Sequence, residues 1–267
     1  MLHSLSFVED PTRIFRAIRF EQRFGFRLGK ETLALIKGAV KMELFRRLSG
    51  ARLLNELMLL FSEEEPSRTV ARLAELDLLR FIHSAVKQSD RLAGMIKGIE
   101  DALKWYRLLF LDRPVEPWLV YIMALIDGLP AKAMGETVTR LAIAERHAEA
   151  VRAGHVSSNL VLRRLTKQPP PTPAETYRLL SPLSVETLLL LMAKSQSDVV
   201  KRHVSAFLTV HQHVRPILTG DDLKAMGLKP GPQFKKILAG LLDARLNGEV
   251  NTETDERALV RRIAKLS

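Results

Sequence analysis

The sequence predicts an all-α fold, an irregular set of helices with no significant sheet. Apolar residues recur at three- and four-residue spacing between breaks rich in proline, glycine and aspartate, and no run of β-branched residues alternates with period two. No fixed period repeats along the chain either, so a regular solenoid is not expected.

Each element follows from local signals. Pro11 stands at a first helical turn behind Glu9 and Asp10, where its missing N–H is not needed and the acids face the positive helix end. Gly25 and Gly29 close that segment. Helices are then predicted over 32–40 and 49–61, the latter with Leu53, Leu54, Leu57, Leu60 and Phe61 as its apolar stripe. The acidic run Glu63-Glu64-Glu65 before Pro66 reads as a solvated link. Further helices are expected over 68–79, 89–111, 117–126, 132–153, 157–166, 173–180, 184–193 and 198–213. The clearest breaks are Asp112-Arg113-Pro114, Asp127-Gly128-Leu129-Pro130 and the proline run 169–171. A short helix begins at Thr219-Gly220-Asp221-Asp222, and another runs over 233–246 to Asn247-Gly248. Glu253 and Asp255 read as part of a polar tail.

Composition narrows the function. The 267 residues carry 41 Lys and Arg against 30 Asp and Glu, a formal charge of +11 and a pI near 10.1, the balance of a protein that meets a polyanion such as nucleic acid. Ten of the basic and five of the acidic residues lie in the first fifty. Without cysteine there is no disulfide framework, thiolate metal site or cysteine nucleophile. Met1 is followed by His-Ser-Leu-Ser, not a signal-peptide pattern, and apolar runs such as 118–126 fall well short of the roughly 20 residues that span a bilayer. A cytoplasmic protein without membrane contact is expected.

The stretch FVEDPTRIFRAIRFEQRFGF, residues 7–26, concentrates the chemistry. At 100° per residue, Arg13, Arg16, Arg23 and Arg27 fall within an arc of roughly 80°, with Ile14 and Ile18 on the other side. Asp10 and Arg13, three residues apart, can converge. Such a pair is either a salt bridge or an acceptor and donor set for a nucleobase. Cytosine and adenine both show an exocyclic amino donor beside a ring-nitrogen acceptor, so one carboxylate and one guanidinium can pair with either. Uracil and guanine reverse that order and would leave the protein groups unpaired, which makes discrimination steep. Near the other end, Lys229, Lys235 and Lys236 surround a glycine-bearing loop that could present ammonium and backbone N–H groups to phosphate, or be a plain helical hairpin.

Glu9-Asp10-Pro11-Thr12-Arg13 matches the EDxxR motif of the bacterial and eukaryotic class of tRNA nucleotidyltransferases, the CCA-adding enzymes, and of the related bacterial poly(A) polymerases. Residues 14–20 and 23–26 resemble the continuation of that family's neck helix. Leu48-Ser49-Gly50-Ala51-Arg52-Leu53-Leu54-Asn55-Glu56-Leu57 resembles its later neck motif, with Ala51 where many members have an acid, and residues 231–248 resemble its tail. The resemblance implies a neck over 1–65, a helical body over 66–213 and a tRNA-binding tail over 214–267. It implies that Asp10 and Arg13 pair with the base of CTP or ATP, supported by Glu9 and Arg16, while Arg52 and Glu56 steady the neck. Arg23, Arg27, Lys229, Lys235 and Lys236 would contact RNA, mainly through phosphates.

The family's catalytic head holds magnesium on closely spaced aspartates after a Gly-Ser turn. This sequence has no Gly-Ser dipeptide and no Asp-x-Asp. No catalytic or metal-binding residue is therefore expected in this chain, which reads as the neck, body and tail of a longer enzyme whose head and accessory domains lie elsewhere. Alone it is expected to be inactive. The competing reading is a non-enzymatic helical module that binds RNA or an acidic protein.

Overall fold

The computed structural model describes residues 6–195 and 197–264. Among the described residues there are fifteen α-helices, short 3₁₀ turns and no strand, so the fold is all-α as the sequence predicts. In chain order the helices are α1 (Ser6–Glu9), α2 (Thr12–Phe24), α3 (Lys30–Lys41), α4 (Gly50–Phe61), α5 (Pro66–Glu75), α6 (Asp90–Arg107), α7 (Pro117–Leu125) and α8 (Ala131–Arg140). They continue with α9 (Glu145–Leu165), α10 (Pro173–Leu180), α11 (Val185–Lys194), α12 (Asp198–Thr209), α13 (Gly220–Ala225), α14 (Pro232–Leu246) and α15 (Glu253–Ala264).

The chain divides into two compact units. The first comprises residues 1–159 and 184–196, the second 160–183 and 197–267, and the boundary at 159 falls inside α9. Its bounds differ from those of the neck, body and tail segments, 1–65, 66–213 and 214–267, that the resemblance implies.

In the first unit α7 is buried from Trp118 to Leu125, which is why its sequence is apolar on all sides rather than striped. Helix α11 packs along α6, and α7 lies against both. The approach is close: a Cβ on Gly98 of α6 would stand 3.0 Å from the Cα and the carbonyl oxygen of Ala193. Helix α2 packs on α4 and α5. Ile14 and Ile18 are fully buried, as the arc argument requires, and the expected stripe of α4 is buried as well.

In the second unit α10 packs on α12 and α14, and Leu218, Leu223, Ile237, Leu241 and Val260 form a core shared by α13, α14 and α15. Two of its helix starts carry reciprocal side-chain caps. Thr172 and Glu175 make a reciprocal capping box at α10, and Thr219 and Asp222 another at α13. Asp222 is thus a cap, as its position at a predicted helix start implies.

Several expectations fail for local reasons. The helices predicted over 132–153 and 157–166 are divided elsewhere: the break comes at Ala142, which takes a left-handed φ of 51°, and α9 runs straight through Gly154. Gly154 does not stop the helix because it serves packing; a Cβ there would lie 2.8 Å from Met123 Cε and 2.9 Å from Thr187 Oγ1. The polar tail around 253–255 is the first turn of α15, capped by Asp255, which accepts from the N–H groups of Asn251 (3.1 Å) and Thr252 (2.9 Å). The 68–79 and 89–111 helices end early, before left-handed Asp77 and Phe110. The run 63–65 is not wholly solvated: the Glu63 side chain is only 10% exposed and holds Arg23.

Candidate nucleobase and RNA interface

The corner between α1 and α2 is built by Asp10. Its Oδ1 accepts from the Thr12 N–H (3.1 Å), the Thr12 hydroxyl (2.6 Å) and Arg52 Nη2 (2.9 Å). The first two bonds satisfy donors at the start of α2, which Pro11 cannot cap with a side chain. Partial burial pushes the Asp10 carboxyl up, but the Thr12 hydrogen bonds, then the charges of Arg52 and Arg13, outweigh it and hold the pKa below the usual aspartate value. Asp10 is therefore an ionised acceptor at neutral pH. Arg13 is half-buried and donates from Nη1 to the Ser6 hydroxyl. The ion pair of Asp10 is thus with Arg52, from the second motif, while Arg13 stands close enough to act on it electrostatically.

Behind this corner α4 brings Glu56 among Arg19, Arg16, Asp10 and Arg52. Burial raises its pKa, against the pull of Arg19 and Arg16. The Arg19 Nε is buried with no hydrogen-bond partner. Glu9 and Arg16 are exposed at the surface. The structure therefore gathers Asp10, Arg13, Arg16, Arg52 and Glu56, which the sequence separates by some forty residues, at one end of the α2 and α4 pair.

Sequence reading missed what seats α4. Arg140 donates from Nη1 to the Leu48 carbonyl (3.1 Å) and from Nη2 to the Phe45 carbonyl (3.0 Å), fixing the segment that enters the helix. Gly50 lies against the same residue: a Cβ there would fall 2.2 Å from the Arg140 carbonyl oxygen and 3.0 Å from the Ala142 N. The only sequence signal was the glycine inside Leu48-Ser49-Gly50, since nothing local marks Arg140. Gly50→Ala is expected to shift the start of α4 and destabilise the protein by about 1–3 kcal/mol, the usual range for overpacking a dense site. A denaturant melt checks this, and an unchanged midpoint would show that the contact relaxes freely.

The remaining basic residues behave differently from one another. Arg23 is held by Glu63 through Nε and Nη2, both at 2.8 Å, leaving part of the guanidinium exposed. Arg27 does not share the helical arc, because α2 ends at Phe24 and Gly25 turns the chain with φ 65°. In the second unit Lys229, Lys235 and Lys236 are exposed, the last two near the start of α14. No group of three or more His, Asp or Glu able to hold a metal occurs among the described residues, and no helix among them is long and apolar enough to cross a membrane.

Residues 25–89 of this all-helical chain match the family model described as the probable RNA and SrmB-binding site of polymerase A. Over 99% of its length the chain is 42% identical to the A-adding tRNA nucleotidyltransferase of Geobacter sulfurreducens, of which it spans 30%. Its fold matches the Thermotoga maritima CCA-adding enzyme complexed with tRNA at a TM-score of 0.84 and 25% identity, over 100% of this chain and 64% of that one. A CCA-adding enzyme solved with CTP matches at 0.83 and 25% identity, over 100% of this chain and 62% of that one. In sequence and fold the chain is similar to tRNA nucleotidyltransferases, and it corresponds to part of their length.

Proposed function

We propose that this chain is the nucleotide-recognition and tRNA-binding portion of a template-independent RNA nucleotidyltransferase that adds C, A or both to RNA 3′ ends. The observation that carries the reading is the Asp10 corner: a carboxylate kept ionised and oriented by Thr12 and Arg52, with the Arg13 guanidinium beside it. That arrangement offers one acceptor and one donor to the edge that cytosine and adenine share. The relatives named above support the substrates, CTP or ATP with tRNA. Magnesium and the carboxylates that hold it belong, in this reading, to a head outside these residues, so the chain alone grips RNA and adds no nucleotide.

RNA grip is testable on the chain as it stands. If Arg27, Lys229, Lys235 and Lys236 neutralise phosphates, log affinity for tRNA falls with log salt by nearly one unit each, and raising salt from about 50 to about 200 mM costs about a hundredfold. Lys235→Glu with Lys236→Glu should flatten the slope by about two units. Fluorescence anisotropy of labelled tRNA reads both. Binding that is flat across that range would favour the protein-interaction module, and an unchanged slope in the double variant would return α14 to the second half of a plain hairpin.

A further inference from the structure

Three phenylalanines stand in a row on the surface of the first unit. Phe20, Phe24 and Phe26 are 39%, 56% and 65% exposed, while Ile14, Phe15 and Ile18 of the same segment fill the core. The ring centroids of Phe20 and Phe24 are 5.9 Å apart and those of Phe24 and Phe26 5.4 Å, with interplanar angles of 31° and 32°. The row exists because Gly25 takes a left-handed φ of 65°, which ends α2 and folds Phe26 back beside Phe24. No atom lies within 4 Å of a Cβ built at Gly25, so the glycine serves the turn and not a tight contact.

Cations alternate with the rings. The Arg19 guanidinium lies 5.4 Å from the Phe20 centroid and covers that end of the row. Arg23 precedes Phe24, and exposed Arg27 follows Phe26. An apolar protein partner favours a centre depleted of charge. Rings interleaved with arginines instead suit a polyanion that carries flat π faces of its own, and only unpaired bases have those faces free.

We propose that Phe20, Phe24 and Phe26 form a stacking platform for unpaired bases of single-stranded RNA, with Arg27 and the exposed part of Arg23 on the adjoining phosphates. This rests on the RNA-binding reading above and adds to it a residue set and a strand state. The gaps between rings are narrower than the roughly 6.8 Å, twice the base rise of about 3.4 Å, that an inserted base requires. Bases therefore lie on the outer face of the row. With Arg19 closing the Phe20 end, Phe26 is the principal acceptor.

The test uses the purified chain, a ten-nucleotide oligoadenylate with a central 2-aminopurine, a blunt RNA duplex of equal length, and tRNA. The oligonucleotide should bind with quenched 2-aminopurine emission, and more tightly than the duplex. Phe26→Ala should weaken that binding about tenfold and restore emission, as loss of one base–aromatic stack does, while Phe26→Tyr keeps both and Phe26→Leu behaves as alanine does. Both positions changed are at the surface, so folding is preserved and circular dichroism verifies it. Oligonucleotide affinity that survives Phe26→Ala and Phe24→Ala, or that leucine sustains as well as phenylalanine, overturns the platform. A chain that grips tRNA but not the oligonucleotide overturns the platform and leaves the proposed function standing; one that grips neither removes both.

Discussion

Glu256→Ala is expected to cost about 3–5 kcal/mol, the range for breaking a buried, hydrogen-bonded charge pair. Glu256 is 0% exposed. Its carboxylate accepts from the Ile217 N–H at 3.0 Å to each oxygen, from the Leu218 N–H at 2.8 Å, and from Arg245 Nη1 at 2.9 Å. Alanine strands two backbone donors and a guanidinium that is only 23% exposed. The loss should appear in a denaturant melt, with faster hydrogen exchange at the Ile217 and Leu218 amides. Pairing Glu256→Met with Arg245→Met should recover part of it, because no orphan charge remains. A fall below about 1 kcal/mol in the single variant would mean that water replaces the carboxylate, contrary to its burial.

The second large effect concerns base choice and is read in the longer protein, with its head present. Asp10→Ala and Arg13→Ala are each expected to lower discrimination of CTP and ATP against UTP and GTP by about tenfold to a hundredfold, since one unpaired edge group is worth about 1–3 kcal/mol. tRNA affinity should hardly change. The structure also separates this from simple loss of fold. Asp10 and Arg13 do not form a closed pair: Asp10 bonds Thr12 and Arg52, and Arg13 bonds Ser6. Removing Asp10 takes away a helix-start acceptor, worth about 1 kcal/mol, so melting should move little. Arg52→Ala acts through Asp10 as a positioning change and should lower discrimination less. Variants that melt far earlier, or that keep full selectivity, would reduce the corner to a helix start.

What the sequence revealed depended on how locally the physics is written. Ile14, Ile18 and the Leu53 to Phe61 stripe follow helical periodicity, and their burial could be read in advance. The acceptor at residue 10 was legible as well, because an acid before Pro11 and Thr12 is a local pattern. Its partner was not: Arg52 lies on another helix, and no spacing rule joins 10 to 52. The same limit hid Arg140, whose role is to hold two carbonyls more than ninety residues away. The gap expected between 153 and 157 was misplaced, since Gly154 is a point of close approach inside α9. The start of α15 was missed although Thr252 and Asp255 carry a capping pattern, since polar composition outweighed it.

The discontinuity of the first unit has a bearing on how the protein is made. Synthesis proceeds from the N-terminus, and most of that unit has left the ribosome once residue 159 is out. Its α6 surface still waits for α11, which follows only after residues 160–183 of the other unit have been made. Until then the groove at Gly98, shaped to admit the backbone of Ala193, stands open to water. The nascent chain thus carries an apolar trough for the time taken to add some thirty-five residues, a few seconds at about 5–20 residues per second. A chain shortened anywhere before residue 194 leaves that trough uncovered, so the Asp10 corner near its front is expected to depend for soluble expression on a leucine-rich helix far behind it.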